Sequence, residues 1–597
     1  MPTMRALRRL LPYYRPYRRQ VALGLAFVVI SSALASVTPW LLRAALDGIR
    51  AGGPAGRIWT LAGSMIGVAL VAGVLRFGMR ELINGLSRRI EYDLRNDLFA
   101  HLMRLDASYF ARTRTGDVMA RLTNDLSAVR QAVGPAIMYL TNTVAGAIFA
   151  LYFMLRIDGR LTLLALLPMV ILPVVTLWLG RLIHERFEAV QEHFSTMTTR
   201  AQENLAGARV VRAYRQETAE LDRFAALNDE YLGKNMQLVR LYGIMNPAFG
   251  LLAGLGGVTV LGFGGLLALR GTISVGAFVA FGLYLGMLTW PLIALGWVVN
   301  LFQRGAASTA RLLEILDHPR GIDDPSVPIR LGAAPAGRSV EFRGVGFHYP
   351  APADTQPRWV LRDISFRVPA GATLAVVGAT GSGKSALLEL LARVYDPQEG
   401  QILVDGMPIQ SITLDELRRE IGFVPQESLL FSETIRENLA YGSEDNGAAE
   451  WAAHVAQLDT TIENFPGGYD TLLGERGINL SGGQKQRAAL ARALARRPSI
   501  VVLDDALSAV DTHTEADILR GLREALRGRT AIIASHRISA VRDASWIIVL
   551  DDGRIVEQGK HADLIAAGGR YWTLLRRQQL EDAIEDEPVT PQGVAAG

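Results

Sequence analysis

Six stretches without a single charged residue occupy the first half of the chain: 21–42, 58–75, 131–155, 161–180, 241–269 and 271–303. Each reaches the roughly 18 to 20 residues that a helix needs to cross the hydrocarbon of a bilayer. One such run could be a buried core helix, but six in one half require lipid as a solvent. The apolar fraction of 50% and the mean hydropathy of +0.20 are high for a soluble protein and agree with that reading. The first run follows the basic start "MPTMRALRRLLPYYRPYRRQ". It is too long for a secretion-signal core and lacks a small-residue cleavage site, so it reads as a retained first membrane helix.

Arginine placement predicts orientation. Arg5, Arg8, Arg9, Arg15, Arg18 and Arg19 precede the first stretch, and further basic clusters lie in connections 76–130 and 181–240. Those segments are expected in the cytoplasm, and the short "RIDGR" link at Arg156 to Arg160 outside. The two long connections carry apolar residues at helical spacing with almost no proline. Folded back as two helices of roughly 25 residues, each would reach some 35 to 40 Å from the membrane. The turns are expected near "YFARTRTGD", Tyr109 to Asp117, and "ENLAGARVVRAYRQE", Glu203 to Glu217. The formal charge of +4 therefore reflects membrane topology, with no nucleic-acid partner expected. The absence of cysteine excludes disulfides, thiolate metal sites and cysteine nucleophiles.

The chain thus divides into a membrane domain (1–316), a proline- and glycine-rich linker (317–338), a soluble α/β domain (339–582) and an acidic tail (583–597) expected to be disordered. "GATGSGKS", Gly378 to Ser385, follows the strand-like "ATLAVV" and precedes the helix-like "ALLELLARV". A glycine-rich turn that opens a helix aims backbone N–H groups at phosphate oxygens. Gly378, Ala379, Thr380, Gly381, Ser382 and Gly383 form the turn, Lys384 would reach the β- and γ-phosphates, and Ser385 would coordinate Mg²⁺. Asp504, at the end of the apolar "SIVVL", can hold Mg²⁺ through water.

With these motifs in place, the second half resembles the nucleotide-binding domain of ATP-binding cassette (ABC) transporters, and the whole chain is similar to a half-transporter of the ABC exporter type. "LSGGQ" carries the signature residues Ser481, Gly482, Gly483 and Gln484; "VPQ" places Gln426 at the Q-loop, where the family senses Mg²⁺. "ASHR" places His536 at the switch, "FHYP" places Tyr349 at the adenine-stacking position, and "SAVD" places Asp511 in the D-loop. The resemblance implies six membrane helices with long cytoplasmic extensions, fused to a P-loop NTPase domain. It also implies a dimer in which two domains sandwich two Mg²⁺–ATP head to tail, so that Ser481 acts on the other chain's nucleotide. The lever tips around Gly116, Asp117 and Gly207 are similar to the family's coupling helices.

One position departs from the family. Where a glutamate polarises the attacking water, this chain has Asp505, one methylene shorter. An intact signature beside a shortened carboxylate matches one subunit of the family's heterodimeric exporters. The expected catalytic set is therefore Asp505, His536 and Gln426, with hydrolysis at this site impaired and a second, different half-transporter as partner. A mainly regulatory ATP-binding subunit and a homodimer with a working Asp505 stay open. The six stretches argue against a soluble ABC ATPase. The expected protein lies in a bacterial inner membrane, with its nucleotide-binding domain and both termini cytoplasmic, and moves a drug, lipid or peptide. Trp290, Trp297, Phe281, Tyr284, Met245 and Asn300 are candidates to line its path, with packing the more ordinary role for such aromatics.

Overall fold

The computed structural model describes residues 5–334, 337–350, 356–443 and 446–586. Within helices and strands, the side chains of some residues, Trp290 among them, lie outside the described set. The chain separates into two units: one of residues 1–103 and 115–318, the other of 104–114 and 319–597.

The first unit is helical. Among the described residues, four helices are long and apolar enough to cross a membrane: Leu7–Arg50, Ala55–Leu102, Thr115–Ile157 and Glu217–Leu269. The two remaining uncharged stretches fall in the helices Gly159–Ala206 and Val275–Leu316, whose described apolar runs, Gly159–Pro168 and Val275–Thr289, are shorter. Large apolar side chains such as Ile66, Leu70, Val74 and Phe77 are exposed along the second helix, as they would be toward lipid. Small residues permit close approach: a Cβ on Gly134 would stand 2.4 Å from that of Ser87, and one on Gly276 would meet the Arg43 carbonyl at 2.4 Å. Asp47, at the end of the first helix, accepts from the Ser274 hydroxyl (2.6 Å) and the Gly276 amide (2.9 Å), so it caps the helix Val275–Leu316 from a neighbour. Phe281 and Tyr284 are fully buried, Tyr284 stacking on Phe153 at 5.3 Å and donating to the Ser36 carbonyl. Both therefore serve packing in this chain.

The two long connections do fold back as paired helical arms with turns near the expected places, and the arms are unbroken continuations of the apolar helices beside them. Ala55–Leu102 and Gly159–Ala206 each run 48 residues without a break, about 72 Å at the α-helical rise. Nothing stops them where the chain leaves lipid, because the polar extension keeps helical spacing and lacks proline. Polar contacts hold the extensions together: Asp125, buried, accepts from Ser308 (2.9 Å) and takes a two-pronged contact from Arg311. His193 meets the Leu227 carbonyl at 2.8 Å.

The second unit contains a four-stranded antiparallel sheet and a six-stranded, mostly parallel sheet. The first, in order β2–β1–β4–β5, comprises β1 (Val340–Phe347), β2 (Leu361–Val368), β4 (Glu399–Val404) and β5 (Met407–Pro408). The second has the order β10–β9–β3–β8–β7–β6. Its central strands β3 (Thr373–Gly378), β7 (Ile500–Asp504) and β8 (Thr530–Ala534) read as unbroken apolar runs because both faces are covered. β6 (Ile421–Val424) forms one edge, and β9 (Trp546–Asp551) with β10 (Arg554–Gly559) the other.

The proline-rich segment has no helix or strand in residues 319–334, yet it is tied down. Asp324 accepts from the Leu414 amide at 2.7 Å, and buried Arg338 binds Asp405 and Glu420. The final helix, Arg570–Asp586, runs past residue 582, so the acidic tail begins later than its composition suggests. Residues 587–597, where disorder is expected, lie outside the described residues.

Candidate nucleotide site

β3 ends at Gly378 in the sheet's interior, and the chain must turn at once into the helix Lys384–Leu391. Gly381 (φ +82°) and Gly383 (φ +103°) make that turn in backbone conformations that side chains resist. A Cβ on Gly383 would also lie 2.7 Å from Leu361 Cδ2. The turn leaves a cradle of backbone amides at a helix start. Lys384 Nζ folds back to donate to the carbonyls of Gly378 (2.9 Å) and Ala379 (3.0 Å). Burial lowers the ammonium's pKa, opposed by the charges of Asp505 and Asp504. Ser382 is 4% exposed, and its Oγ has no hydrogen-bond partner among the described residues. A buried hydroxyl without a partner and a lysine turned on its own loop suit an anion with several oxygens.

Asp504 closes β7 and is 4% exposed. Burial pushes its carboxyl up, the Ser385 hydroxyl bond and Lys384 pull it down, and neighbouring Asp505 pushes it up again. A buried carboxylate beside a hydroxyl and a second carboxylate fits a hard divalent cation. Asp504 and Ser385 would hold part of the shell of Mg²⁺, and nucleotide oxygens or water the rest.

The parallel register pairs Asp504 with Ala534, so the residues just beyond each strand meet. Asp505 adopts a left-handed conformation (φ +51°) and donates its amide to the Ala534 carbonyl at 2.9 Å. Both carboxylate oxygens then lie 2.7 and 2.8 Å from His536 Nδ1. Asp505 is largely covered (13% exposed), whereas His536 is half open. Val424 pairs with Leu503, which brings Gln426 to the same end of the sheet, exposed.

Tyr349, 41% exposed, stands edge-on to Phe347 (5.0 Å) and Tyr395 (5.3 Å). Its hydroxyl donates to Glu389 at 3.1 Å. Glu389 lies on the P-loop helix, and sequence reasoning missed it; a carboxylate inside "ALLELL" was the available signal. Burial raises its carboxyl pKa, the Tyr349 bond lowers it, and Asp504 adds to the rise.

The signature residues sit on another core. Leu480 and the helix Gly482–Ala495 belong to one apolar cluster, whereas the P-loop helix packs in a second. Ser481 caps its helix in a reciprocal box with Gln484: Ser481 Oγ accepts from the Gln484 amide (3.3 Å), and Gln484 Oε1 accepts from the Ser481 amide (2.9 Å). Gly483 lies against the D-loop, where a Cβ would come within 2.6 Å of the Ala509 carbonyl. Asp511 caps the helix Thr512–Ala525 by accepting from the Thr514 amide at 2.9 Å. Gln486 and Arg537, which also grip the D-loop, were not foreseen.

Of the lever-tip residues, Gly116 and Asp117 open the helix Thr115–Ala120, and Asp117 accepts from Arg121 at 3.0 Å. Gly207 separates the helices Gly159–Ala206 and Ala208–Ala213. All three belong to the first unit; the short helix Ala107–Arg112 belongs to the second.

Residues 21–292 match the family described as "ABC transporter transmembrane region", and residues 361–508 that described as "ABC transporter". The chain is 37% identical to the probable multidrug resistance ABC transporter ATP-binding/permease protein YheI of Bacillus subtilis, over 96% of this chain and 97% of that one. It is 34% identical to an ATP-dependent lipid A-core flippase of Syntrophus aciditrophicus, over 98% and 96%. A solved bacterial Atm1-family ABC exporter with ATP bound superposes with a TM-score of 0.76 at 30% identity, covering 94% of this chain and 99% of that one. With a P-loop, a buried aspartate and a signature helix on one sheet domain, and relatives matched along nearly their whole length, the chain belongs to the ABC transporter family, as an exporter with fused transmembrane and nucleotide-binding domains.

Proposed function

We propose that this chain is one half of a heterodimeric exporter in a bacterial inner membrane, with an ATP site of its own that hydrolyses slowly. The observation that carries this reading is the Asp505 carboxylate, held by its short side chain against His536 Nδ1 through both oxygens. A general base must reach the water it activates, and one lost methylene withdraws the carboxylate by about 1 Å, a displacement worth on the order of 10² in rate. Tyr349, Lys384, Ser385 and Asp504 bind Mg²⁺–ATP here, and Ser481 completes the partner's site. Six spans carry the transport path, both termini are cytoplasmic, and the tips near Gly116, Asp117 and Gly207 transmit nucleotide state to the spans. The arginine distribution and the four described spans support that topology.

The cargo is an amphipathic or hydrophobic small molecule, lipid or peptide. Two supports agree. Relatives are described as multidrug transporters and a lipid A-core flippase. An apolar recess of about 410 Å³ lies among the membrane helices, lined by residues that include Val29, Leu140, Val144, Ile148 and Phe149.

A homodimer with a working Asp505 is the second reading. ATP turnover of the purified chain, alone and with its partner, separates the two. The heterodimer reading expects slow turnover alone, about a 10²-fold gain for Asp505→Glu, and loss of the heterodimer's turnover on Ser481→Ala. Rapid turnover alone with no gain from Asp505→Glu overturns it.

A further inference from the structure

The D-loop backbone, Ser508 to Val510, is gripped from two sides. From the signature helix, the amide nitrogen of Gln486, buried, donates to Ser508 Oγ (2.8 Å), while its oxygen accepts from the Ala509 amide (2.8 Å). From the switch loop, Arg537, next to His536, forks onto the D-loop: one nitrogen donates to the Val510 carbonyl (3.4 Å) and the Glu515 carboxylate (2.5 Å), the other to the Ser508 carbonyl (3.3 Å). Glu515 is 4% exposed and sits in the first turn of the helix that Asp511 caps. Arg537 also donates its amide to Ser535 Oγ at 3.0 Å, which ties its backbone to the end of β8. A buried carboxylate paired with a planar guanidinium that also reaches two carbonyls is a directional joint.

We propose that Arg537 is a positioning residue that makes the switch loop, the D-loop and the signature helix move as one body. Displacement of His536 by a nucleotide at this chain's P-loop then shifts Ser508–Val510 and, through Gln486 and Gly483, the signature end presented to the partner. The proposal rests on the reading that Ser481 acts on the other chain's nucleotide. It adds a mechanical path between the two ATP sites that runs through a side chain touching neither nucleotide.

The test measures MgATP turnover by the full-length chain in lipid nanodiscs, in an Asp505→Glu background, together with affinity for a fluorescent ATP analogue. Arg537→Met is expected to lower kcat about tenfold with KM and analogue affinity within about twofold, since the P-loop is untouched. Arg537→Glu alone should lose as much, and Arg537→Glu combined with Glu515→Arg should recover to within about threefold of the parent. An unchanged kcat in Arg537→Met overturns the proposal. So does loss of analogue affinity in step with kcat, or a double variant no better than the single. If Asp505→Glu leaves turnover at the wild-type level, the slow-site reading fails, and the same variants in the wild-type chain still decide the role of Arg537. If Ser481→Ala leaves turnover intact, the signature reading fails, whatever Arg537 does.

Discussion

The P-loop face and the signature face belong to the same unit and both present a helix start with small residues, yet their polar groups are in opposite states. At the P-loop, Ser382 Oγ has no partner among the described residues, Asp504 is buried with its carboxyl pushed up, and Lys384 donates to carbonyls of its own turn. At the signature, Ser481 and Gln484 satisfy each other and Asp511 is satisfied by Thr514. The first face keeps an unpartnered hydroxyl for a ligand, and only Lys384 must give up bonds to its own turn. The second must exchange bonds it already makes, so its net gain is smaller. On the proposed reading, this chain carries one strong nucleotide contact and one conditional contact, the second engaging only when the partner delivers a nucleotide to it.

The largest expected effect would break the strong face. Lys384→Ala should weaken binding of a fluorescent ATP analogue on the order of 100-fold, the upper range for losing a hydrogen bond to a charged group. The melting of the membrane unit should not move. Undiminished binding would remove the contrast between the faces.

Gly483→Ala attacks the conditional face. Its new Cβ would stand 2.6 Å from the Ala509 carbonyl, which has no flexible side chain to yield. A stability loss of about 1 to 3 kcal/mol is expected in chemical denaturation of the second unit, as for other overpacked sites. Analogue affinity at the P-loop should stay within about twofold. Ser481→Ala also removes the helix cap and should lower stability by about 1 kcal/mol. A drop in P-loop affinity in either variant would show that the two faces are not independent in binding.

The smallest effect concerns the pair Tyr349 and Glu389. Glu389 has a carboxyl pKa raised in the folded state, chiefly by burial, so the folded protein holds its proton more tightly than the unfolded chain. Its favourable contribution is full below the ordinary carboxylate pKa and is lost as pH rises through the raised folded value. Glu389→Gln keeps an acceptor for the Tyr349 hydroxyl and should flatten that part of the stability-versus-pH curve, with ATP affinity changed a few-fold at most. An identical curve for wild type and variant would show that Glu389 does not titrate in this range.

Local chemistry was legible wherever a few consecutive residues suffice. "GATGSGKS" needs only its own glycines to turn, and "LSGGQ" caps its own helix. Where distant segments cooperate, the sequence was silent. Glu389 looks like one more residue of an amphipathic helix until Tyr349, from the loop that follows β1, reaches it. Arg338, in a segment that reads as linker, is buried between two carboxylates from distant loops. That the long helices run unbroken was not foreseen, for a related reason. A change from lipid-compatible to polar residues marks a change of solvent, and a helix can run through it unbroken when no capping or proline signal intervenes.

The sequence by itself determined that the chain has a membrane half and a phosphate-binding half, because unbroken apolar length and a glycine turn before a lysine each answer to physics within one segment. It also showed that Asp505 is short. What stands against that short side chain was decided only by the tertiary structure. The register between β7 and β8, set by apolar packing on both faces of the sheet, carries His536 from a separate strand to within 2.7 Å of Asp505. The contact joins residues 31 positions apart, and pairing of that kind is fixed by which strands neighbour each other, a property of the whole sheet that neither segment encodes alone.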